Sequence, residues 1–262
     1  MRRLPVVPAA KPQMPFVYSA AAASFRSATQ DRVAVHDLGD SLVVVVADGA
    51  GGIPGGAIAA DAVIHGVAEA LAGSPTCLSE SASIVELLRA LDDAIERMPL
   101  AGETTAVIVV VREAAVFGAS CGDSSAWLVG VDDHDDLTAD QHRKRRVGSG
   151  RAMPVPFERA RPERAVVVVG SDGLFDFVAA GAIVACLRRP SPEAAARALV
   201  EAARPPAGRY ADDVAVAVVG RSLSIRYLHD ANVSADAAAR IPGSAADAAR
   251  RQVRRASVES RS

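Results

Sequence analysis

Six short apolar runs, rich in valine, restrict how this chain of 262 residues can fold more than any other feature. Each run has five to seven residues, and its β-branched composition is typical of a strand that is buried on both faces. The runs cover residues 41–47, 105–111, 115–120, 125–129, 165–170 and 214–219. We therefore expect six core strands.

Four segments with helical spacing of apolar residues lie between and after these runs, at residues 55–71, 83–98, 180–187 and 192–203. In the second segment Ile84, Leu88, Leu91 and Ile95 fall on one stripe of a helix. The strands and helices do not alternate regularly, as they would in a parallel βαβ fold. The order instead predicts an α+β domain of packed sheets and helices with largely antiparallel strands.

Three segments differ from the rest in composition. Residues 132–161 contain the acidic run DDHDD and the basic run RKRR, followed by Gly and Pro, and we expect a long surface loop or flap there. We expect residues 1–20 to be an N-terminal extension and residues 21–220 to be the folded domain. Residues 221–262 carry eight arginines and four acidic residues, which predicts a basic, flexible tail.

The composition excludes several classes of protein. The net charge is −2, so bulk positive charge does not favour binding to nucleic acid. The cysteines, Cys77, Cys121 and Cys186, are odd in number and have no CxxC spacing, which argues against a disulfide framework or a zinc site. No apolar run approaches the roughly 20 residues that span a bilayer. We therefore expect a cytoplasmic protein with neither nucleic acid nor membrane as a partner.

Acidic residues fall at the ends of the predicted strands. Asp48 ends one run, Asp172 follows another, Asp212 and Asp213 precede the last, and Asp123 lies in a turn between two runs. Several carboxylates at one sheet edge would repel each other unless a cation neutralised them. Oxygen ligands without His or Cys suit Mg²⁺ or Mn²⁺, and a pair of such ions can activate water against a phosphoryl group.

Each Asp–Gly pair has a simpler interpretation, because this dipeptide is also a common turn signal. Another kind of site finds little support in the sequence. The stretch GAGGIPGG lacks the GK[ST] that completes a phosphate-binding P-loop.

Six motifs occur in order between residues 25 and 219, and together they resemble one known family. They are FRSATQDR, VVADGAGG, ETTAVIVV, CGDSSAWLV, VVVVGSDGLFDFV and ADDVAVAVV. The series is similar to that of the metal-dependent serine/threonine protein phosphatases of type 2C (PPM-type), and it looks bacterial-like. The resemblance implies an αββα sandwich, in which two mainly antiparallel β-sheets are flanked by helices.

The resemblance also implies a centre of two Mn²⁺ or Mg²⁺ ions at one end of the sandwich. Asp48 matches the carboxylate that bridges both ions, and Gly49 matches the residue whose backbone carbonyl binds the second ion. Asp172 and Asp212 match the remaining ligands of the first ion.

Two further residues match catalytic positions of the family. Arg26 matches the arginine that holds the substrate phosphate, and a guanidinium suits bidentate contact with phosphate oxygens. Asp31 matches an acid that orients metal-bound water. The implied reaction is attack of metal-bound hydroxide on phosphoserine or phosphothreonine of a protein substrate, which a cognate Ser/Thr kinase would supply.

The chain departs from the family pattern at several positions. Ile53 stands where some members carry a histidine proposed as a general acid, and residues 98–102 contain no acid for a third ion, so we expect none. We expect Asp123 to brace its hairpin and Asp176 to cap or brace the next helix. Asp213 takes the family's Asn position, where it either orients Asp212 or substitutes for it.

Two other functions stay open at this point. The chain could be a catalytically weak or inactive relative that acts as a binding or regulatory module, or a metal-dependent hydrolase of small phosphoesters or nucleic acid.

Overall fold

The computed structural model describes residues 15–25, 28–50, 54–131, 133–205, 208, 210–222, 224–226 and 228–230. The strands in chain order are β1 (Phe16–Ala23), β2 (Asp31–Asp37), β3 (Leu42–Asp48), β4 (Ala106–Val111), β5 (Ala115–Cys121), β6 (Ser125–Val129), β7 (His134–Asp136), β8 (Val155–Ala160), β9 (Val166–Gly170) and β10 (Val214–Arg221). The helices are α1 (Gly56–Gly73), α2 (Ser81–Glu96), α3 (Asp172–Phe175), α4 (Ala180–Leu187) and α5 (Pro192–Ala202).

The strands form two five-stranded sheets. One has the order β1-β10-β9-β6-β7 and the other the order β2-β3-β4-β5-β8. Every strand pair in the described part of the chain is antiparallel. The six valine-rich runs coincide with β3, β4, β5, β6, β9 and β10, which confirms the predicted core strands.

The central strands are apolar on both faces because three layers of core pack against the two sheets. Val44, Val109 and Val169 belong to the layer between the sheets. Val43 and Ile108 point the opposite way, toward α1 and α2, and they pack with residues of those helices. Residues of β9 and β10 pack against α4 and α5 in the same manner. The fold is the αββα sandwich that we predicted.

Helix α1 illustrates how a core helix can be almost wholly apolar. It is 18 residues long, and it is the one helix among the described residues that is long and apolar enough to cross a membrane. However, Ala59, Ala60, Val63 and Val67 are fully buried and belong to the layer beneath β3 and β4. Its composition therefore follows from its place in the sandwich.

The segment at residues 132–161 differs from the surface loop that we expected. It contains β7, which pairs with β6, and β8, which pairs with β5. These strands escape an apolar-run search because they are edge strands: β7 reads HDD, and in β8 one residue, Phe157, is buried. The flap is thus confined to the residues between β7 and β8.

The folded part of the chain extends at both ends beyond residues 21–220, the range that we predicted for the domain. Strand β1 begins at Phe16, inside the segment expected to be an extension, and it pairs along its length with β10. Beyond β10, the side chains of Ile225 and Leu228 are buried in the layer that contains α4 and α5. The division into extension, domain and tail stays a prediction.

Candidate metal centre

The predicted site begins where strands β2 and β3 meet. Asp31, the first residue of β2, lies directly opposite Asp48, the last residue of β3, in the antiparallel register. Asp31 is buried, with 3% of its surface exposed. The two carboxylates therefore share one sheet edge at the end of the sandwich.

A hydroxyl of the ETTA motif connects this edge to the CGDSS turn. The turn joins β5 of one sheet to β6 of the other, so it is not the hairpin that we expected. The backbone N–H of Asp48 donates to Thr105 Oγ1 at 3.0 Å, and Thr105 Oγ1 lies 2.6 Å from Ser124 Oγ. Asp123 precedes Ser124 in the turn between β5 and β6. As a result, carboxylate oxygens of Asp48, Asp123 and Asp172 all lie within 4.8 Å of one another.

Asp172 reaches this cluster from the other sheet. It follows β9, where the backbone N–H of Ser171 donates to Ala215 O at 3.0 Å and Ser171 Oγ accepts from the N–H of Ala215 at 2.9 Å. Gly173 is required here, because a Cβ at this position would clash with the carbonyl oxygen of Asp213. The start of α3 is thus held tightly against the residues that precede β10.

Gly49 is also restricted by close packing. A Cβ at Gly49 would clash with the backbone of Gly56 at the start of α1, and the N–H of Gly49 donates to Gln30 O at 3.3 Å. Only glycine fits this position without a shift of the helix. Gly49 and its neighbour Ala50 line the cavity described next.

The acids open onto a cavity of about 340 Å³. Its described lining is Phe25, Ala28, Gln30, Asp48, Gly49, Ala50, Arg146, Asp172, Ala211, Asp212 and Asp213. Asp212 therefore faces the same cavity, although it is not part of the tight three-carboxylate cluster. Four of the lining residues are acidic and one is basic, so the acidic groups predominate in the described wall of the cavity.

Burial and mutual repulsion hold protons on these carboxyl groups. Burial raises the pKa of Asp48 to about 10, and the charges of Asp31, Asp172 and Asp212 add to the shift. Burial likewise raises the pKa of Asp31 to about 7, although hydrogen bonds with Ser171 and Asp48 oppose this shift. The pKa of Asp172 rises to about 6, first through burial and then through Asp123 and Asp212. Without a cation, the acids cannot all ionise together.

The donor set fits a hard divalent cation. Asp31 Oδ2, Asp123 Oδ1 and Gln30 Oε1 are buried oxygens without a hydrogen-bond partner among the described residues. Unpartnered buried oxygens are rare in folded proteins and are costly unless an ion or water satisfies them. Carboxylate and carbonyl oxygens are the ligands that Mg²⁺ and Mn²⁺ prefer.

Asp213 has a defined role beside the cluster. Its Oδ1 accepts from the N–H of Phe25 at 2.7 Å, and its Oδ2 accepts from the N–H of Gln30 at 2.7 Å. The two oxygens thus hold the backbone of Phe25 and of Gln30 beside the cluster. In addition, the backbone N–H of Asp213 donates to Asp212 Oδ1 at 2.8 Å.

The structure thus brings Asp31, Asp48, Gly49, Asp172 and Asp212 to one end of the sandwich. Arg26 and Ile53 lie outside the described residues.

The sequence places Asp123 among the acids at strand ends, but we assigned it a structural role, and we did not single out Arg146. Asp123 was expected to brace its hairpin, and Arg146 belongs to a charge run that was expected to be solvated. The GDS motif was a signal for Asp123, whereas nothing in the run RKRR distinguished Arg146 from its neighbours.

Comparison with known proteins supports the same interpretation. The protein phosphatase 2C family matches residues 23–145, which include Asp31, Asp48 and Asp123. The fold neighbours cover most of the chain and are bacterial phosphatases of this type. Residues 23–145 of this chain, slightly less than half of its length, are therefore similar to the protein phosphatase 2C family.

Three solved structures illustrate the fold that this chain shares with bacterial serine/threonine phosphatases. The S. agalactiae serine/threonine phosphatase is 20% identical with a TM-score of 0.67, and the match covers 80% of this chain and all of that one. The Mycobacterium tuberculosis phosphatase PstP/Ppp is 21% identical with a TM-score of 0.63, covering 79% and 98% of the chains. The catalytic domain of PstP in complex with two manganese ions is 20% identical with a TM-score of 0.63, covering 78% and 97%.

The solved structures establish the fold of this domain. Comparison with curated proteins gives no significant match.

Proposed function

We propose that this chain hydrolyses phosphoserine and phosphothreonine in proteins with the help of two divalent ions, Mn²⁺ or Mg²⁺. The observation that carries the proposal is the cluster of Asp48, Asp123 and Asp172, in which one oxygen of each residue lies within 4.8 Å of the others. Asp48 and Asp172 also line the acidic cavity. The two manganese ions named for the PstP catalytic domain, which shares this fold, support the proposal.

In this proposal Asp48, Asp172 and Asp212 hold the ions together with the carbonyl of Gly49. Asp123 joins them because one of its carboxylate oxygens lies in the same cluster and its Oδ1 has no hydrogen-bond partner among the described residues. Bound divalent ions supply positive charge that activates water and neutralises phosphoryl oxygens.

The remaining residues orient the reactants. Asp31 is buried, and its Oδ2, which has no hydrogen-bond partner among the described residues, provides an acceptor for a water. Asp213 holds the backbone of Phe25 and Gln30, which flank Arg26 in the sequence, and we propose that Arg26 contacts the substrate phosphate. Thr105 fixes the backbone of Asp48 relative to Ser124, in the turn that contains Asp123. This arrangement lets ionised oxygens meet the ions without reorganisation of the sheets.

We favour this activity over that of an inactive relative because the chain has a carboxylate at each position that the resemblance assigns to the ions, Asp48, Asp172 and Asp212, and all three line one cavity. The protein would act on the products of a Ser/Thr kinase, and we propose that it does so in the cytoplasm.

The test is hydrolysis of a phosphothreonine peptide by the purified protein, with manganese or with a chelator. We expect phosphate release in manganese to exceed that in chelator by at least about a hundredfold, because the ions activate the nucleophile. A nucleotide serves as the comparison substrate. Equal rates with and without metal would contradict the proposal, and metal-dependent hydrolysis of the nucleotide alone would replace it with a small-phosphoester hydrolase.

A further inference from the structure

Arg146 is the single basic residue among the described residues that line the acidic cavity. Its side chain is 31% exposed, in contrast to the exposed residues 142–145 that precede it in the flap. It therefore points inward at the end of a charge run whose other described members face solvent.

The backbone around Arg146 is firmly anchored. Thr104 and Val147 exchange two backbone hydrogen bonds of 2.9 Å, which tie the flap to the strand that begins with ETTA. Asp92, buried in α2, accepts hydrogen bonds from the N–H groups of Gly148, Gly150 and Ala152 at 2.7, 3.0 and 2.9 Å. A buried carboxylate with three such donors is a strong local constraint. Arg146 is consequently presented to the cavity by a fixed segment.

The guanidinium of Arg146 has N–H donors that form no short hydrogen bond with the described residues. Its nearest acidic partner is Asp123, with Nη2 3.6 Å from Oδ2, a distance that is too long for a good hydrogen bond. Its Nε is buried and has no hydrogen-bond partner among the described residues. A guanidinium carries five N–H donors in a planar fork that matches the oxygens of a phosphate.

We infer that Arg146 binds a phosphoryl oxygen of the substrate. The inference deepens the proposed function and rests on it. Once divalent ions offset the charge of Asp48, Asp123 and Asp172, a phosphate in the cavity would lie between the ions and this guanidinium. Arg146 would thus act as a phosphate ligand in addition to the residue proposed at position 26.

A purely structural role makes a different prediction. If Arg146 only balances the charge of Asp123, its removal alters the affinity of the protein for metal and leaves the affinity of the metal-loaded protein for phosphate unchanged. Binding of manganese and binding of inorganic phosphate therefore separate the two roles.

The experiment compares the full-length protein with Arg146→Ala, Arg146→Lys and the control Arg151→Ala, whose side chain is an exposed arginine of the same segment. Calorimetry measures manganese binding first, and then the binding of inorganic phosphate to each manganese-loaded protein. We expect Arg146→Ala to weaken phosphate binding about tenfold or more, because charge-assisted hydrogen bonds are lost. We expect Arg146→Lys to be intermediate and Arg151→Ala to lie within about twofold of the parent.

Steady-state hydrolysis of the phosphothreonine peptide gives a second measure, with kcat/KM expected to fall in the same order. The inference is overturned if Arg146→Ala and Arg146→Lys bind phosphate as tightly as the parent does. It is also overturned if their loss of kcat/KM disappears once the proteins are saturated with manganese. A parent protein that binds manganese and phosphate but hydrolyses no peptide contradicts the proposed function, and the phosphate titrations then still decide the role of Arg146.

Discussion

Replacing Asp172 by alanine is expected to lower kcat/KM for a phosphothreonine peptide in manganese by a factor of about 10³ or more. Asp172 is the carboxylate through which the second sheet reaches Asp48 and Asp123. Its loss removes a proposed ligand of the ions that activate the nucleophile and neutralise the phosphate. A factor of 10³ corresponds to about 4 kcal/mol of transition-state stabilisation.

The matched control for this substitution is Asp176→Ala in the same motif, SDGLFD. The carboxylate of Asp176 points away from the cluster and forms a salt bridge of 2.8 Å with Arg143 at the surface. Exposed pairs of this kind contribute little, so we expect activity within about threefold of the parent. Circular dichroism verifies that both variants fold. Retention of more than a tenth of the parent activity by a folded Asp172→Ala protein would show that Asp172 is not an essential ligand.

The metal-free protein is expected to lose stability as pH rises, and manganese is expected to restore it. Burial and neighbouring carboxylates raise the pKa values of Asp172, Asp31 and Asp48 from 3.8 to about 6, 7 and 10. A carboxyl group with a raised folded-state pKa contributes stability that is complete below its unfolded pKa and is lost as pH rises through the folded value. The loss therefore starts above about pH 4 and continues through neutral pH.

The variant Asp48→Asn tests this account because it keeps the shape of the side chain and removes the least favourable charge. In chelator at pH 8 we expect its Tm to exceed that of the parent by roughly 5–10 °C, from relief of on the order of 3 kcal/mol of electrostatic strain. We also expect manganese to raise the Tm of the parent much more than that of Asp48→Asn.

Thermal unfolding followed by circular dichroism at pH 6 and pH 8 gives these values. The control is Asp93→Asn, because Asp93 is an exposed acid of α2. A lower Tm for metal-free Asp48→Asn than for the parent would contradict the electrostatic account, as would equal stabilisation of both proteins by manganese.

The interior of the fold follows from the sequence, but its edges do not. The six strands that we predicted are β3, β4, β5, β6, β9 and β10, which all have a strand on either side. The four that we missed, β1, β2, β7 and β8, lie at the sheet edges. Central strands are covered on both faces and read as unbroken apolar runs, whereas edge strands carry polar residues and Pro, which reduce unwanted pairing. Apolar runs therefore identify only the interior strands.

The candidate site divides in a similar way. Asp48, Asp172 and Asp212 adjoin interior strands, so their approach to one another could be predicted from the positions of those strands. The position of Asp123 depends on how the two sheets are stacked, because its turn joins β5 of one sheet to β6 of the other. Local sequence contains little information on that stacking. The position of Arg146 depends on hydrogen bonds that join the flap to Asp92 and Thr104, which are distant in the chain. Such bonds produce no periodic pattern in the sequence.

The central claim is that the acidic cavity is a divalent metal centre, and calorimetric titration of the metal-free protein with manganese tests it most directly. We predict saturable binding of about two ions per chain, accompanied by proton release at pH 7, because carboxyl groups with raised pKa values must ionise to bind metal. In the same titration Asp48→Asn is expected to lose most of this binding. Absence of saturable manganese binding by the parent protein would contradict the claim.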